Sequence, residues 1–179
     1  AITITPNLQL TSAGITQTDS LSVTGTTTLA VNTAGSNILL ASAANNLSGG
    51  VTIGGTASNV QDFALRNTNA AAGAITNLGN ASTTNLRNLT INYDNSSFMV
   101  PSFTTVTTLA NISVVAGGAI TQAAGGVVQS AAATSASFNA GGGITLIDPA
   151  NNFTGTVTAT GPATQITDTN ALTAVLTTT

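Results

Sequence analysis

Apolar and polar residues alternate in short strings along the whole chain. The strings include residues 2–5 (ITIT), 21–23 (LSV), 51–53 (VTI), 89–91 (LTI) and 144–146 (ITL). A period of two places alternate side chains on opposite faces, which is the pattern of a β-strand. Gly, Asn and Ser lie between the strings and favour tight corners. The pattern predicts an all-β chain with many short strands.

Helix signals are weak by comparison. Thr, Val, Ile, Gly and Asn are poor helix formers, and no apolar stripe with helical spacing continues for three turns. We therefore expect little or no helix.

An internal repeat is the most informative feature of the chain. Residues 38–57 read ILLASAANNLSGGVTIGGTA and residues 144–163 read ITLIDPANNFTGTVTATGPA, with 10 of 20 positions identical at an offset of 106. Upstream, Ile15-Thr16-Gln17 matches Ile120-Thr121-Gln122 at an offset of 105. The repeat therefore covers about 13–57 and 118–163. No linker separates the copies, so we expect 1–179 to form one continuous body in which 62–106 is the less regular part.

Strands, tight corners and a repeat without helices favour a parallel β-helix, or β-solenoid, in which each rung pairs with the rung above. Ile, Val, Leu, Ala and Phe would fill the inside, and Thr, Ser and Asn would face outward. With roughly 20 residues per rung, the chain would form about nine rungs. A β-sandwich is the structural alternative, although it ordinarily has longer strands.

Charge is scarce, and this excludes many functions. Charged residues make up 4% of the chain, against about 25% in an average domain. There is no His, Cys, Lys or Glu, so the chain has no thiol nucleophile, Ser–His pair or usual zinc or iron–sulfur ligand set. Two Arg and a net charge of −3 disfavour nucleic acid. The chain has no run of 18 consecutive apolar residues, so we expect no membrane insertion. We expect no enzyme activity, no cofactor and no metal.

An N-N-[LF]-[ST]-G turn followed by a V-T strand occurs at residues 45–52 and 151–158. Together with ITQTDSLSVTGTTTLAV at 15–31, this pattern resembles repeats of filamentous haemagglutinin-type proteins. Those proteins are large bacterial exoproteins exported by two-partner secretion, or related β-strand-repeat surface proteins. The resemblance implies a right-handed parallel β-helix, an extracellular or cell-surface location and an adhesive fibre.

The two ends form the first candidate site. Ile2 and Ile4 lie in one strand-like end, and Leu172, Val175 and Leu176 lie in the other. Without a polar cap, such ends expose unpaired backbone groups and tend to add strands. We expect them to pair head-to-tail with another copy of the chain or with further repeats of a longer one.

A second candidate site lies in the 62–106 stretch. Arg66, Arg87, Asp94, Tyr93 and Phe98 could form a binding surface for a glycan or protein of a host or neighbouring cell. The structural alternative is that the Arg residues pair with Asp and that the aromatic residues, together with Phe103, plug the core. The Asp residues could similarly ligate calcium or make local hydrogen bonds at corners.

Three Thr pairs raise a further alternative. Thr3/Thr5, Thr105/Thr107 and Thr156/Thr158 could form a flat face that orders water, as in an ice-binding protein, but their phases look scattered. A polysaccharide lyase or hydrolase would need clustered acidic and basic residues. The sequence favours a non-enzymatic structural or adhesive rod, with an ice-binding or glycan-binding solenoid as the alternative.

Overall fold

The chain winds into an all-β solenoid of about seven turns. The computed structural model describes residues 1–79, 85–104, 106, 108–127, 129 and 134–179. Within these residues the helical structure is one 3₁₀ turn, Ala57–Asn59. The strands are β1 Ile2–Ile4, β2 Leu8–Ser12, β3 Ile15–Thr16, β4 Leu21–Val23, β5 Thr27–Val31, β6 Ser36–Leu47, β7 Val51–Ile53, β8 Val60–Asn67, β9 Ile75–Thr76, β10 Asn88–Tyr93, β11 Phe98–Val100, β12 Asn111–Ala116, β13 Ile120–Gln122, β14 Ser135–Ala140, β15 Ile144–Leu146, β16 Thr156–Thr160, β17 Thr164–Ile166 and β18 Ala174–Thr177.

The strands form three sheets along the coil. The main sheet has the order β1-β4-β6-β8-β10-β12-β14-β16-β18, with β3 also paired to β6. The smaller sheets are β2-β5-β7-β9 and β11-β13-β15-β17. All strand pairs among the described residues are parallel. The prediction of a parallel β-solenoid is confirmed, and the sandwich alternative, built from antiparallel sheets, is excluded.

One column of inward-facing residues runs through the main sheet and defines the turns. Its members pair in register from one strand to the next: Ile15, Ile38, Phe63, Leu89, Ile112, Ala136, Val157 and Ala174. From these numbers, six of the seven steps span 21 to 26 residues and the last spans 17. The expectation of nine rungs of 20 residues was wrong, because the corners between strands lengthen most turns.

The internal repeat does not match a whole number of turns. Ile38 lies in the main sheet, whereas its repeat partner Ile144 lies in the sheet of β11, β13, β15 and β17. Val51 lies in β7 of a smaller sheet, whereas its repeat partner Val157 lies in β16 of the main sheet. Four turns from Ile38 reach Ala136, and Ile144 lies eight residues further along. Equivalent residues of the two copies therefore lie in different sheets of the coil.

β8 and β10, which carry most of the unusual residues of 62–106, pair regularly with each other. β8 and β10 pair over six consecutive residues, from Asp62 opposite Asn88 to Asn67 opposite Tyr93. The register shifts lie instead between β6 and β8. The Arg, Asp and Tyr residues of this stretch lie on or next to regular strands, because the apolar residues of those strands alternate inward as they do elsewhere.

Buried carboxamides hold the corners of the coil. Asn45 is fully buried, and its Nδ2 donates to the carbonyl oxygens of Leu40 at 2.8 Å and Arg66 at 3.0 Å. Its Oδ1 accepts the backbone N–H of Leu21 at 2.9 Å and the side-chain amide of Gln17 at 2.8 Å. A buried amide is costly unless its donors and acceptors are satisfied, and this one is satisfied by three turns of chain.

Candidate functional site

Two ion pairs join the turns that contain β8 and β10. Arg66 Nη2 lies 2.7 Å from Asp94 Oδ2, and Arg66 Nε donates to the same oxygen at 2.9 Å. Arg87 Nη2 lies 2.7 Å from Asp62 Oδ2, and Arg87 Nε donates to Asp62 Oδ1 at 3.1 Å. Hydrogen bonding to these carboxylates raises the pKa of both guanidinium groups. The structural alternative is confirmed, since both Arg side chains are engaged by Asp.

The aromatic side chains of this region lie in the core. Tyr93 and Phe98 are 1% and 3% exposed, and their rings meet edge to face with centroids 5.1 Å apart. Tyr93 Oη donates to the carbonyl oxygen of Gly73 at 2.9 Å, and burial raises the pKa of the phenol. Phe103 is also buried. None of these three rings presents an open face to a glycan. The aromatic residues plug the core instead.

The corner Asp residues bind backbone groups. Asp148 accepts the N–H of Gly125 at 2.7 Å and that of Ala150 at 2.9 Å, and these hydrogen bonds lower its pKa. Asp168 Oδ1 accepts the N–H of Phe153 at 3.2 Å. In the part of the chain that the structure describes, no three metal-ligating side chains converge. The local hydrogen-bonding role predicted as the alternative to calcium ligation is present at both residues.

The two end strands present uncovered core positions. Among the described residues, β1 pairs only with β4 and β18 only with β16. Ile2 is 57% exposed although it pairs with buried Leu21, and Leu176 is 58% exposed although it pairs with buried Ala159. Ile4, opposite buried Val23, is in the same position but only partly exposed. These three side chains continue the inward columns of the core without a further turn to cover them.

The remaining two end residues differ from this arrangement. Val175 is 54% exposed but pairs with Thr158, an exposed outward position, so it lies on the side of the rod rather than on its end. Leu172 is 37% exposed and precedes β18. At the opposite end, a hollow of about 260 Å³ opens onto the core, and its apolar lining comes from Ile2, Ile4, Leu8, Leu10, Leu21 and Leu40.

A polar face on the main sheet could not be located from the sequence. We call it the lateral face, and it consists of the outward positions of four consecutive strands: Asn88, Thr90 and Asn92 of β10; Asn111, Ser113 and Val115 of β12; Ser135, Ser137 and Asn139 of β14; Thr156, Thr158 and Thr160 of β16. These strands pair without a register shift. The side chains therefore stand in straight columns about 4.8 Å apart from strand to strand.

The Thr pairs considered above do not share one face. Thr156 and Thr158 lie on the lateral face, whereas Thr3 lies in β1 at the end of the rod. Thr105 and Thr107 lie outside the described residues. The column through the centre of the lateral face is mixed, with Thr90, Ser113, Ser137 and Thr158 in register. The alternation marks each residue as outward, but only the strand register brings the four together.

The fold and these surfaces define a repeat protein built as a β-solenoid. Residues 1–54 and 86–160, more than two thirds of the chain, match the family described as repeats of unknown function (DUF5649). The chain belongs to this family. The two matched segments cover most of each repeat copy, and the unmatched stretch between them contains β8. No curated protein and no solved structure matches the chain. No described helix has the length and apolar character needed to span a bilayer.

Proposed function

We propose that the protein is a non-enzymatic structural rod of the bacterial exterior that elongates by stacking end turns. The neighbouring turn belongs to a second copy or to further repeats of a longer chain. One observation carries the proposal: Ile2, Ile4 and Leu176 occupy core columns and are left uncovered. Burying a fully exposed Ile or Leu side chain is worth about 1.5–3 kcal/mol, and covering these partly exposed side chains would contribute a share of that.

The backbone supports the same conclusion. The outer edges of β1 and β18 each carry N–H and C=O groups that no neighbouring strand satisfies within the described chain. Exposed edges of this kind readily pair with another strand. A stacked turn would satisfy those groups and bury the end residues together, and it would continue the rod without changing its construction.

The role is mechanical rather than catalytic. Asp62 and Asp94 are held by Arg side chains, and Asp148 is held by backbone N–H groups. These carboxylates hold parts of the coil together, and their engagement supports a structural rather than a catalytic role. A polysaccharide-cleaving activity would require acids free to exchange protons with a substrate.

Adhesion and an extracellular location complete the proposal. They rest on the resemblance of the N-N-[LF]-[ST]-G turns at 45–49 and 151–155 to repeats of filamentous haemagglutinin-type exoproteins. In such a fibre, the rod would project a binding surface for a glycan or protein of a host or neighbouring cell. The polar outer surface carries few charges and suits contact with neutral partners better than contact with strongly charged ones.

End stacking can be tested by electron microscopy and light scattering of the purified chain. The native protein should form rods longer than one chain, and the length should increase with protein concentration. Leu176→Lys or Ile4→Lys should shorten the rods to one chain, because either substitution places a charge in the buried junction. Met99→Lys is the matched control, since Met99 is 56% exposed on β11 along the side of the rod. Native rods that stay one chain long at every concentration would overturn the proposal.

A further inference from the structure

We propose that the lateral face is an interface through which two copies of this chain pack side by side, sheet against sheet. Eleven of its twelve positions are Asn, Ser or Thr, and Val115 is the exception. None of the twelve is charged, so a face and its copy meet without electrostatic repulsion. The proposal uses a different surface from end stacking and does not depend on it.

The spacing of the face favours an identical partner. Its columns repeat from strand to strand without a register shift over β10, β12, β14 and β16. A surface with the same strand spacing can match those columns at every turn, whereas a surface with another period loses the match within a few turns. Small polar side chains also allow two sheets to approach closely, as they do in interdigitated sheet pairs.

The face retains hydrogen-bonding groups for a partner. Asn88 and Asn111 are engaged with each other, with Asn111 Nδ2 donating to Asn88 Oδ1 at 2.8 Å. Within the described residues, the carboxamides of Asn92 and Asn139 have no hydrogen bond to another side chain or to the backbone. Each carboxamide offers both a donor and an acceptor, so two copies of the face are chemically complementary.

The size of the face predicts how strongly it binds. Four strands and five residues along each strand cover about 300 Å² per partner. A stable pair of proteins usually buries about 800 Å² per partner, so one pair of chains should associate weakly. The contact would repeat along rods made of several chains, and linked weak contacts strengthen one another. Lateral packing would therefore bundle long rods while leaving single chains in exchange.

Sedimentation equilibrium up to millimolar protein tests this inference. Leu176→Lys serves as the background, because it removes end stacking. In that background the chain should dimerise weakly, and Ser137→Arg should raise the dissociation constant at least tenfold by placing a charge at the centre of the face. Val115→Arg, at a different position, should do the same. Thr145→Arg is the matched control, since Thr145 is a half-exposed outward residue of β15 in another sheet.

Three results would overturn the inference. The first is a chain that remains monomeric at millimolar concentration. The second is equal weakening of the dimer by Thr145→Arg. The third is thermal hysteresis in a monomeric chain that Ser137→Arg abolishes, because the face would then bind ice rather than a second copy. Ser137→Arg without the Leu176→Lys background should still form long rods, so failure of lateral packing is distinguishable from failure of end stacking.

Discussion

Asn45 and Asn151 make the same hydrogen bonds at two different corners of the coil. Each side chain is fully buried and donates through Nδ2 to the carbonyl oxygen five residues before it. For Asn45 this is the carbonyl of Leu40 at 2.8 Å, and for Asn151 it is that of Leu146 at 3.0 Å. The strands that follow these corners nevertheless belong to different sheets. The repeat therefore encodes a corner rather than a particular side of the rod.

The partners from the preceding turn are equivalent as well. Asn45 Oδ1 accepts the N–H of Leu21 at 2.9 Å, and Asn151 Oδ1 accepts the N–H of Val127 at 2.8 Å. Gln17 exchanges two hydrogen bonds with Asn45, and Gln122 does so with Asn151. The short match at 15–17 and 120–122 thus contains the Gln of each Gln–Asn pair. In each repeat, this pair of carboxamides joins one turn to the next.

Asn151→Ala should lower the free energy of unfolding by about 2–4 kcal/mol, since it leaves the Val127 N–H and Leu146 carbonyl buried without partners. Urea unfolding followed by the fluorescence of Tyr93 measures the change. Asn139→Ala on the lateral face is the control and should cost less than about 0.5 kcal/mol. Equal costs at the two positions would contradict the joining role.

The Arg66–Asp94 pair should set the register between β8 and β10 more than it contributes to stability. Arg66→Asp places two carboxylates together and should lower the urea midpoint by about 0.2–0.5 M, as expected for a half-exposed pair. Adding Asp94→Arg restores opposite charges and should recover most of the loss. Because the pair is solvent-accessible, 1 M NaCl should shrink the difference between the variants. A double variant no more stable than Arg66→Asp would disprove the pairing.

Gly141 should tolerate no side chain, because a Cβ there would run into the carbonyl of Gly117 in the preceding turn. Gly141→Ala is therefore expected to cost several kcal/mol or to prevent folding, which circular dichroism and thermal melting would show. Gly143→Ala, two residues away, meets Ala163 only at an ordinary 3.5 Å. This control should be neutral or more stable by up to about 1 kcal/mol. Similar behaviour of both variants would show that the turns are not packed this closely.

Asp148 should make the coil less stable in acid. Its pKa is lowered in the folded chain by the N–H groups of Gly125 and Ala150, so its contribution is present above the unfolded pKa of about 3.9. That contribution disappears as the pH falls through the lowered folded value. Asp148→Asn should have a lower urea midpoint than the native chain at pH 6 and nearly the same midpoint at pH 2. A gap that persists at pH 2 would assign the effect to packing rather than to the carboxylate.

Alternation was enough to predict the strands, and together with the tight corners and the internal repeat it favoured the solenoid. It also contained the signal for Tyr93, which shares the inward phase of Leu89 and Ile91, although its neighbour Asp94 made an exposed position plausible. The same alternation places Leu176 at an inward position and Val175 at an outward position at the end of the rod. These assignments were available in the sequence and were obscured by residue type.

The register between strands and the number of residues per turn could not be predicted from the alternation. The number of residues per turn depends on corner loops, which vary in length between strands of similar pattern. The lateral face and the Arg66–Asp94 contact join residues that are 21 to 28 positions apart, and a change of one residue in a loop would break the alignment. Such groupings follow from accumulated loop lengths and can be read only from the folded chain.

The displacement of the second repeat copy to other sheets has a consequence for an assembled fibre. If further copies are displaced in the same sense, equivalent surface patches follow a helical path around the rod. Two rods that touch through such patches would then meet at intervals rather than along a continuous seam, and each rod could hold neighbours on several sides. Bundles of this kind would be open and porous rather than compact.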